Sequence, residues 1–144
     1  MPFRLPSETN MNPLLIILLL FLTSFLAVSR AGFLRDKTHV LIYNDLAPGT
    51  DLVVHCKSKD DDLGVRHVAY GNDFEFHFRP SFWGTTLFYC SMQWNGTTYR
   101  FDIYKESRDS SLCSRCLWKI RTTGPCFVNY QTCYPWRPQI DQLH

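Results

Sequence analysis

The chain has 144 residues, with 15 lysines and arginines set against 13 aspartates and glutamates; its net charge of +2 makes no field strong enough to draw nucleic acid or a charged membrane surface. Aromatic residues make up 15% of the sequence, enough large side chains for a compact core, and there is no internal repeat or low-complexity segment.

The first dozen residues are polar with little charge (Arg4, Glu8), and the run 14–28, LLIILLLFLTSFLAV, contains no charge at all. Such a run is an h-region at the long end of the secretory range and short of the ~20 apolar residues of a membrane span, which disfavours the rival reading of a signal anchor. Ala27 and Ser29 place small residues at the minus-three and minus-one positions of a cut after Ser29, with Ala31 offering a second cut. Residues 1–29 are therefore read as a signal peptide and residues 30–144 as one domain, secreted and extracellular, with no stable membrane insertion after cleavage. Arg4 and Glu8 leave together, so the net charge of the remainder is unchanged. All six cysteines, Cys56, Cys90, Cys113, Cys116, Cys126 and Cys133, lie in that remainder, and an even number in an exported chain points to disulfides. Their spacing alone selects no pairing.

Downstream, the hydrophobic pattern has a period of two, the mark of half-buried strands. In THVLIYN, Val40, Ile42 and Asn44 share one face and Leu41 and Tyr43 the other; in DLVVHC, Leu52, Val54 and Cys56 oppose Val53 and His55. DFEFHF sets Phe74, Phe76 and Phe78 against Asp73, Glu75 and His77. TTLFYCSMQW aligns Thr86, Phe88, Cys90, Met92 and Trp94, and YRFDIY places Phe101 and Ile103 against Arg100, Asp102 and Tyr104. CLWKI sets Cys116, Trp118 and Ile120 against Leu117 and Lys119, and CFVNY is a last candidate strand. Turn signals separate them: APGTD, the aspartate-rich loop, YGND, RPSFWG, WNGTT, ESRDSS and TTGP. Seven or eight short strands with regular turns and no 3.6-residue period predict an all-β fold, an antiparallel sandwich or barrel.

Chemistry-bearing motifs are few. Asp60, Asp61 and Asp62 are adjacent, whereas an EF-hand loop needs oxygens at alternate positions and a closing glutamate. An irregular calcium site is one reading of this loop; a charged turn between two strands, with Gly64 supplying a permissive backbone, is the simpler one. The CSRC motif of Cys113 and Cys116 has redox spacing but opens a strand, where no helix N-terminus stabilises a thiolate. Zinc on Cys113, Cys116, Cys126 and Cys133 is opposed by the oxidising compartment. His39, His55, His67 and His77 fall on separate segments. No nucleophile with a matching base, no phosphate-cradling glycine loop and no RNA-binding signature is present, so no catalytic residue, cofactor or metal ligand is assigned. Asn95 heads an N-G-T sequon in a predicted turn, exposed for glycosylation.

The blocks VLIYNDL (40–46), LVVHCKSKDDDLG (52–64), FEFHF (74–78), FWGTTLFYC (82–90), FDIY (101–104) and CSRCLWKI (113–120), with GPC after them, resemble the plant self-incompatibility S-protein family, the S-protein homologues, over residues 36–136. The resemblance implies a small secreted β-sandwich stabilised by disulfides, without enzymatic activity or cofactor. Its best-understood members are pistil ligands that engage a pollen surface receptor and trigger rejection of self pollen. Cys56, Cys90, Cys113 and Cys116 match the four cysteines that recur in the family; Cys126 and Cys133 look like an additional pair whose bridge would close a short loop. Asp60, Asp61 and Asp62 match a hydrophilic loop associated with recognition, and as exposed turn residues their joint replacement by asparagine is expected to leave the fold intact. The expected function is that of a non-enzymatic signalling ligand whose partner is a cell-surface receptor protein, with a secreted defence or toxin-like binding protein as the alternative. No oligomeric state is assigned.

Overall fold

A computed structural model describes residue 2, residues 11–31 and residues 35–137. The chain divides into two units, one up to Arg35 and one from Asp36 onward. In the first, α1 (Pro13–Ala31) starts where Asn12 accepts the Leu14 N–H on its side-chain oxygen at 3.1 Å and Pro13 fills the first helical position, where no N–H is needed. Among the described residues no helix is long and apolar enough to cross a membrane. Both expected cleavage points fall at the C-terminal end of α1; the side chains there, and residues 1, 3–10, 32–34 and 138–144, lie outside the described residues.

The second unit is a β-sandwich. Its strands are β1 (Thr38–Asn44), β2 (Leu52–Lys57), β3 (Asp62–Val68), β4 (Asp73–Phe78), β5 (Leu87–Trp94), β6 (Thr97–Lys105), β7 (Arg115–Arg121), β8 (Gly124–Phe127) and β9 (Thr132–Cys133). One sheet has the order β4-β1-β7-β8-β9 and the other β3-β2-β5-β6. Neighbours are antiparallel except β1 and β7, which run parallel from His39 opposite Arg115 to Asn44 opposite Ile120. The alternating residues of both sheets meet in one core: Val40, Ile42, Leu52, Val54, Met92, Ile103, Trp118 and Ile120 are fully buried. Each such aliphatic side chain contributes about 1.5–3 kcal/mol.

Three bridges reinforce this frame. Cys56–Cys90 joins directly opposed residues of β2 and β5 and is buried in the core; Cys126–Cys133 also joins directly opposed residues, across β8 and β9, with Cys126 buried and Cys133 exposed. Cys113–Cys116 closes the tight loop entering β7.

Local departures from strict alternation have identifiable causes. Tyr104, expected on the outer face of its strand, is fully buried. Between the pairs Cys90–Phe101 and Phe88–Tyr104, β6 carries one more residue than β5, and this bulge turns both Ile103 and Tyr104 inward. Residues 106–109, expected as a turn, form one helical turn, α2 (Glu106–Asp109). The expected strand CFVNY stops at Phe127, because Val128–Tyr130 is a 3-10 turn that leads through left-handed Gln131 (φ 53°) into β9. Residues 62–64, expected as the end of a turn, and residues 65–68, given no strand by the sequence pattern, form the edge strand β3.

The chain crosses between the sheets four times, through residues 45–51, 69–72, 79–86 and 106–114. The first two crossings meet at Asn44, which is fully buried. Its side-chain amide donates to the Thr50 and Val68 carbonyls, each at 2.8 Å, and its side-chain oxygen accepts the Leu46 N–H at 3.1 Å. Its backbone N–H donates to Asn72 and its carbonyl accepts from Gly71. The other two crossings are tied by Glu106, whose N–H donates to the Thr86 carbonyl at 2.9 Å while its carboxylate accepts the Thr86 N–H at 3.0 Å.

Replacing Asn44 with alanine removes the partners of two carbonyls and one N–H in a buried to half-buried corner, at a cost of about 2–4 kcal/mol. For a domain of this size the melting temperature of the Asn44→Ala protein is expected to fall by about 10–20 °C. A melt indistinguishable from wild type would show that this amide does not hold the corner.

Candidate functional site

Strand direction decides which loops share an end of the sandwich. β1 and β7 begin, and β2, β4 and β6 finish, at the end where β5 starts. The aspartate-rich turn (58–61), the aromatic loop (79–86) and the α2 crossing (106–114) therefore cluster there. At the opposite end stand the crossings held by Asn44 and the β5–β6 hairpin.

The hairpin between β2 and β3 is built by its own side chains. Ser58 N–H donates to the Asp61 carbonyl at 2.8 Å, and Ser58 Oγ accepts the N–H groups of Asp60 and Asp61 at 3.3 and 3.0 Å. Gly64 lies within β3 rather than in the turn. Between the pairs Lys57–Asp62 and His55–Val65, β3 carries an extra residue, and Gly64 (φ +71°) supplies the left-handed backbone of this bulge. The bulge aims Asp62 back across the hairpin. Asp62 Oδ1 lies 2.6 Å from His55 Nε2 and accepts the Gly64 N–H at 2.9 Å, and its Oδ2 lies 3.1 Å from Lys57 Nζ. The His55 hydrogen bond first, then the Gly64 N–H and Lys57, hold the Asp62 carboxyl far below its ordinary value of 3.8.

The three aspartates are therefore not equivalent. Asp62 is committed to its own hairpin, Asp61 accepts a bond from Ser58 Oγ at 3.3 Å, and the Asp60 carboxylate is presented to solvent. Among the described residues no three or more His, Cys, Asp or Glu side chains converge on a point where they could hold a metal ion.

At the same end of the sandwich is a feature that the RPSFWG turn signal and the FWGTTLFYC block do not reveal by themselves. In the RPSFWGTT loop, Phe82 and Trp83 are 69% and 82% exposed, with ring centroids 5.3 Å apart in an edge-to-face arrangement. Fixed backbone carries them. Ser81 N–H donates to Thr86 Oγ1 at 2.7 Å, Thr85 N–H donates to Ser81 Oγ at 3.1 Å, and Glu106 anchors Thr86 from the buried side. Large exposed aromatics on a pre-ordered loop lose little conformational freedom on contact with a partner, which makes them efficient anchors.

Behind the same end, Arg108 and Asp109 close the sandwich. Asp109 is fully buried, pairs with the Arg108 guanidinium at 2.6 and 2.8 Å and accepts the Lys105 N–H at 2.9 Å. The guanidinium lies 5.0 Å from the Trp118 ring centroid and 5.4 Å from that of Phe101. Cys113 and Cys116 follow directly and are joined to each other, with Cys116 fully buried in β7.

At the far end, Asn95 (φ 48°) and Gly96 (φ 78°) form a two-residue hairpin turn between Trp94 and Thr97, the geometry that favours an Asn-Gly pair. The sequon thus occupies an exposed tip, away from the acidic and aromatic loops.

Comparison with known proteins agrees with this architecture. Residues 39–136 match the family described as plant self-incompatibility protein S1. The chain is 45% identical over 118 residues to S-protein homolog 2 of Arabidopsis thaliana, spanning 75% of this chain and 73% of that protein. It is 38% identical over 130 residues to S-protein homolog 18 of the same plant, spanning 87% and 95%. In three dimensions it is similar, with a TM-score of 0.56 and 20% identity, to a solved self-incompatibility protein homologue, covering 73% of this chain and 98% of that one. That structure is described as representing small, highly stable, secreted proteins from plants.

A carboxyl whose folded-state value is depressed stabilises the fold fully above its unfolded value, and that stabilisation drains as pH falls toward the folded value. Asp62→Asn should therefore lower stability at neutral pH and flatten the acid limb of the stability curve below about pH 5. Denaturant titrations at neutral and acid pH check this. Parallel acid limbs for wild type and Asp62→Asn would remove Asp62 from the hairpin's framework.

Proposed function

The chain belongs to the plant self-incompatibility protein S1 family, and from that premise we propose that it is a secreted, non-enzymatic ligand recognised by a cell-surface receptor protein. The observation that carries this reading is the pairing, at one end of a cross-linked sandwich, of a pre-ordered aromatic tip with an acidic turn. Phe82 and Trp83 supply apolar contact area, and Asp60 and Asp61 supply charge. Aromatic anchors account for most of the affinity in such contacts, and peripheral carboxylates set association rate and partner choice. Asp62 contributes indirectly, by fixing the hairpin that displays its two neighbours.

Export follows from the reading of residues 1–29 as a signal peptide and supports the oxidised state of all six cysteines. Glycosylation of Asn95 is consistent with its hairpin tip, where an added sugar would clear both the core and the proposed contact surface.

In pull-downs and binding titrations against plant plasma-membrane proteins, Trp83→Ser should weaken receptor binding by at least about tenfold. The double replacement Asp60→Asn, Asp61→Asn should slow association and reduce its salt dependence. Both variants should keep the wild-type circular dichroism spectrum. Full binding by folded forms of both would place the receptor contact elsewhere.

For the sugar, protein recovered from a plant secretory host should shift on a gel after glycosidase treatment, and the Asn95→Gln protein should run at the treated position without it. A wild-type protein that does not shift shows the sequon unused.

A further inference from the structure

The outer face of the β4-β1-β7 sheet carries a cluster that the proposed contact surface does not use. His39 on β1 and His77 on β4 stand directly opposite each other. Since the His39 N–H points the other way, donating to the Ser114 carbonyl at 2.8 Å, the two residues form a non-hydrogen-bonded antiparallel pair, the kind that brings side chains closest. Their ring centroids are 5.5 Å apart.

Glu75, two residues before His77 on the same face, has its Oε1 2.8 Å from His39 Nδ1. A carboxylate can only accept, so a neutral His39 must carry its proton on Nδ1, which leaves a lone pair on Nε2. Arg115, the β7 neighbour of His39, lies 3.3 Å from the other oxygen of Glu75, so the carboxylate is fixed at both ends and the arginine charge is compensated. A carboxylate on the far nitrogen of an imidazole is the arrangement by which proteins orient metal-binding histidines.

We infer that His39 and His77 form a surface site for a divalent transition-metal ion that favours imidazole, such as Zn²⁺ or Ni²⁺, with Glu75 as the positioning residue for His39. The spacing fits: at metal–nitrogen distances of about 2.0–2.1 Å around a tetrahedral ion, two imidazole centroids stand about 5–5.5 Å apart. No third protein ligand converges there among the described residues, so water completes the coordination and leaves positions open toward solvent. Both histidines sit at the end of the sandwich that carries the aromatic loop, and β4 leads from His77 directly into that loop.

The test uses the full chain expressed in a secretory host and purified oxidised, titrated with zinc chloride by calorimetry in a non-chelating buffer. One ion per chain is expected. His39→Ala and His77→Ala should each weaken binding by at least about tenfold, Glu75→Gln by about 10–100-fold, and His67→Ala, on the other sheet, should leave it unchanged. Because substitutions in a sheet can perturb folding, Ni²⁺-induced line broadening is followed by NMR on the unmodified protein and should centre on the His39 and His77 rings. Absence of zinc uptake, uptake that survives replacement of both histidines, or broadening centred elsewhere overturns the site.

Discussion

The sandwich depends on two buried polar residues, one at each end. A hydrophobic core between two sheets says nothing about how the chain should cross from one to the other, and every crossing brings backbone groups into a region poor in water. Asn44 solves this at one end, with a single amide satisfying partners in both neighbouring crossings. Glu106 solves it at the other by pairing with both backbone groups of Thr86. In each case a polar side chain is stable inside because its main bonds are made, and those bonds fix which loops lie side by side.

That arrangement gives the two ends different characters. The Asn44 end holds the crossings 45–51 and 69–72 and a two-residue hairpin tip. The Glu106 end displays loops whose side chains are either locked into the framework or left exposed. Asp62 and Asp60 show the division at a distance of two residues: one is drawn back by the Gly64 bulge, the other released to solvent. Phe82 and Trp83 show it again, held on a backbone that buried and loop side chains have immobilised. An order of this kind prepays the entropy that a contact would otherwise cost.

Much of the fold was legible because a pleated strand advertises its buried face with period two. Val40–Ile42–Asn44, Leu52–Val54–Cys56 and Cys116–Trp118–Ile120 all point inward as the pattern required. What escaped was whatever depends on a partner strand. The β6 bulge has no local signature, so Tyr104 was expected on the wrong face; Gly64, expected to supply a permissive backbone in the turn, supplies it instead inside β3. β3 was missed because DLGVRHV is an exposed edge with a glycine inside it, and an edge strand needs little hydrophobicity. The parallel pairing of β1 with β7 and the Cys56–Cys90 bridge are long-range facts that no spacing encodes, whereas the other two bridges close short loops. At the candidate site, the acidic residues were conspicuous by composition alone. Their unequal roles, and the outward projection of Phe82 and Trp83, emerged only once the hydrogen-bonded frame around them was known.

The parallel pairing has a consequence for the order of assembly. β2, β3, β5 and β6 are complete once residue 105 is available, and the Cys56–Cys90 bridge lies wholly among them. β1, although first in the sequence, must wait for β7 before its second flank is covered. A chain delivered from its N-terminus can therefore close one sheet during delivery while the other stays open along β1. Such non-local closure is slow relative to hairpin formation, and until it occurs the strand exposes a bare hydrogen-bonding flank beside an apolar face. For this topology the vulnerable interval is the one between arrival of β6 and docking of β7, when a waiting chaperone or a stray strand would compete for the same edge.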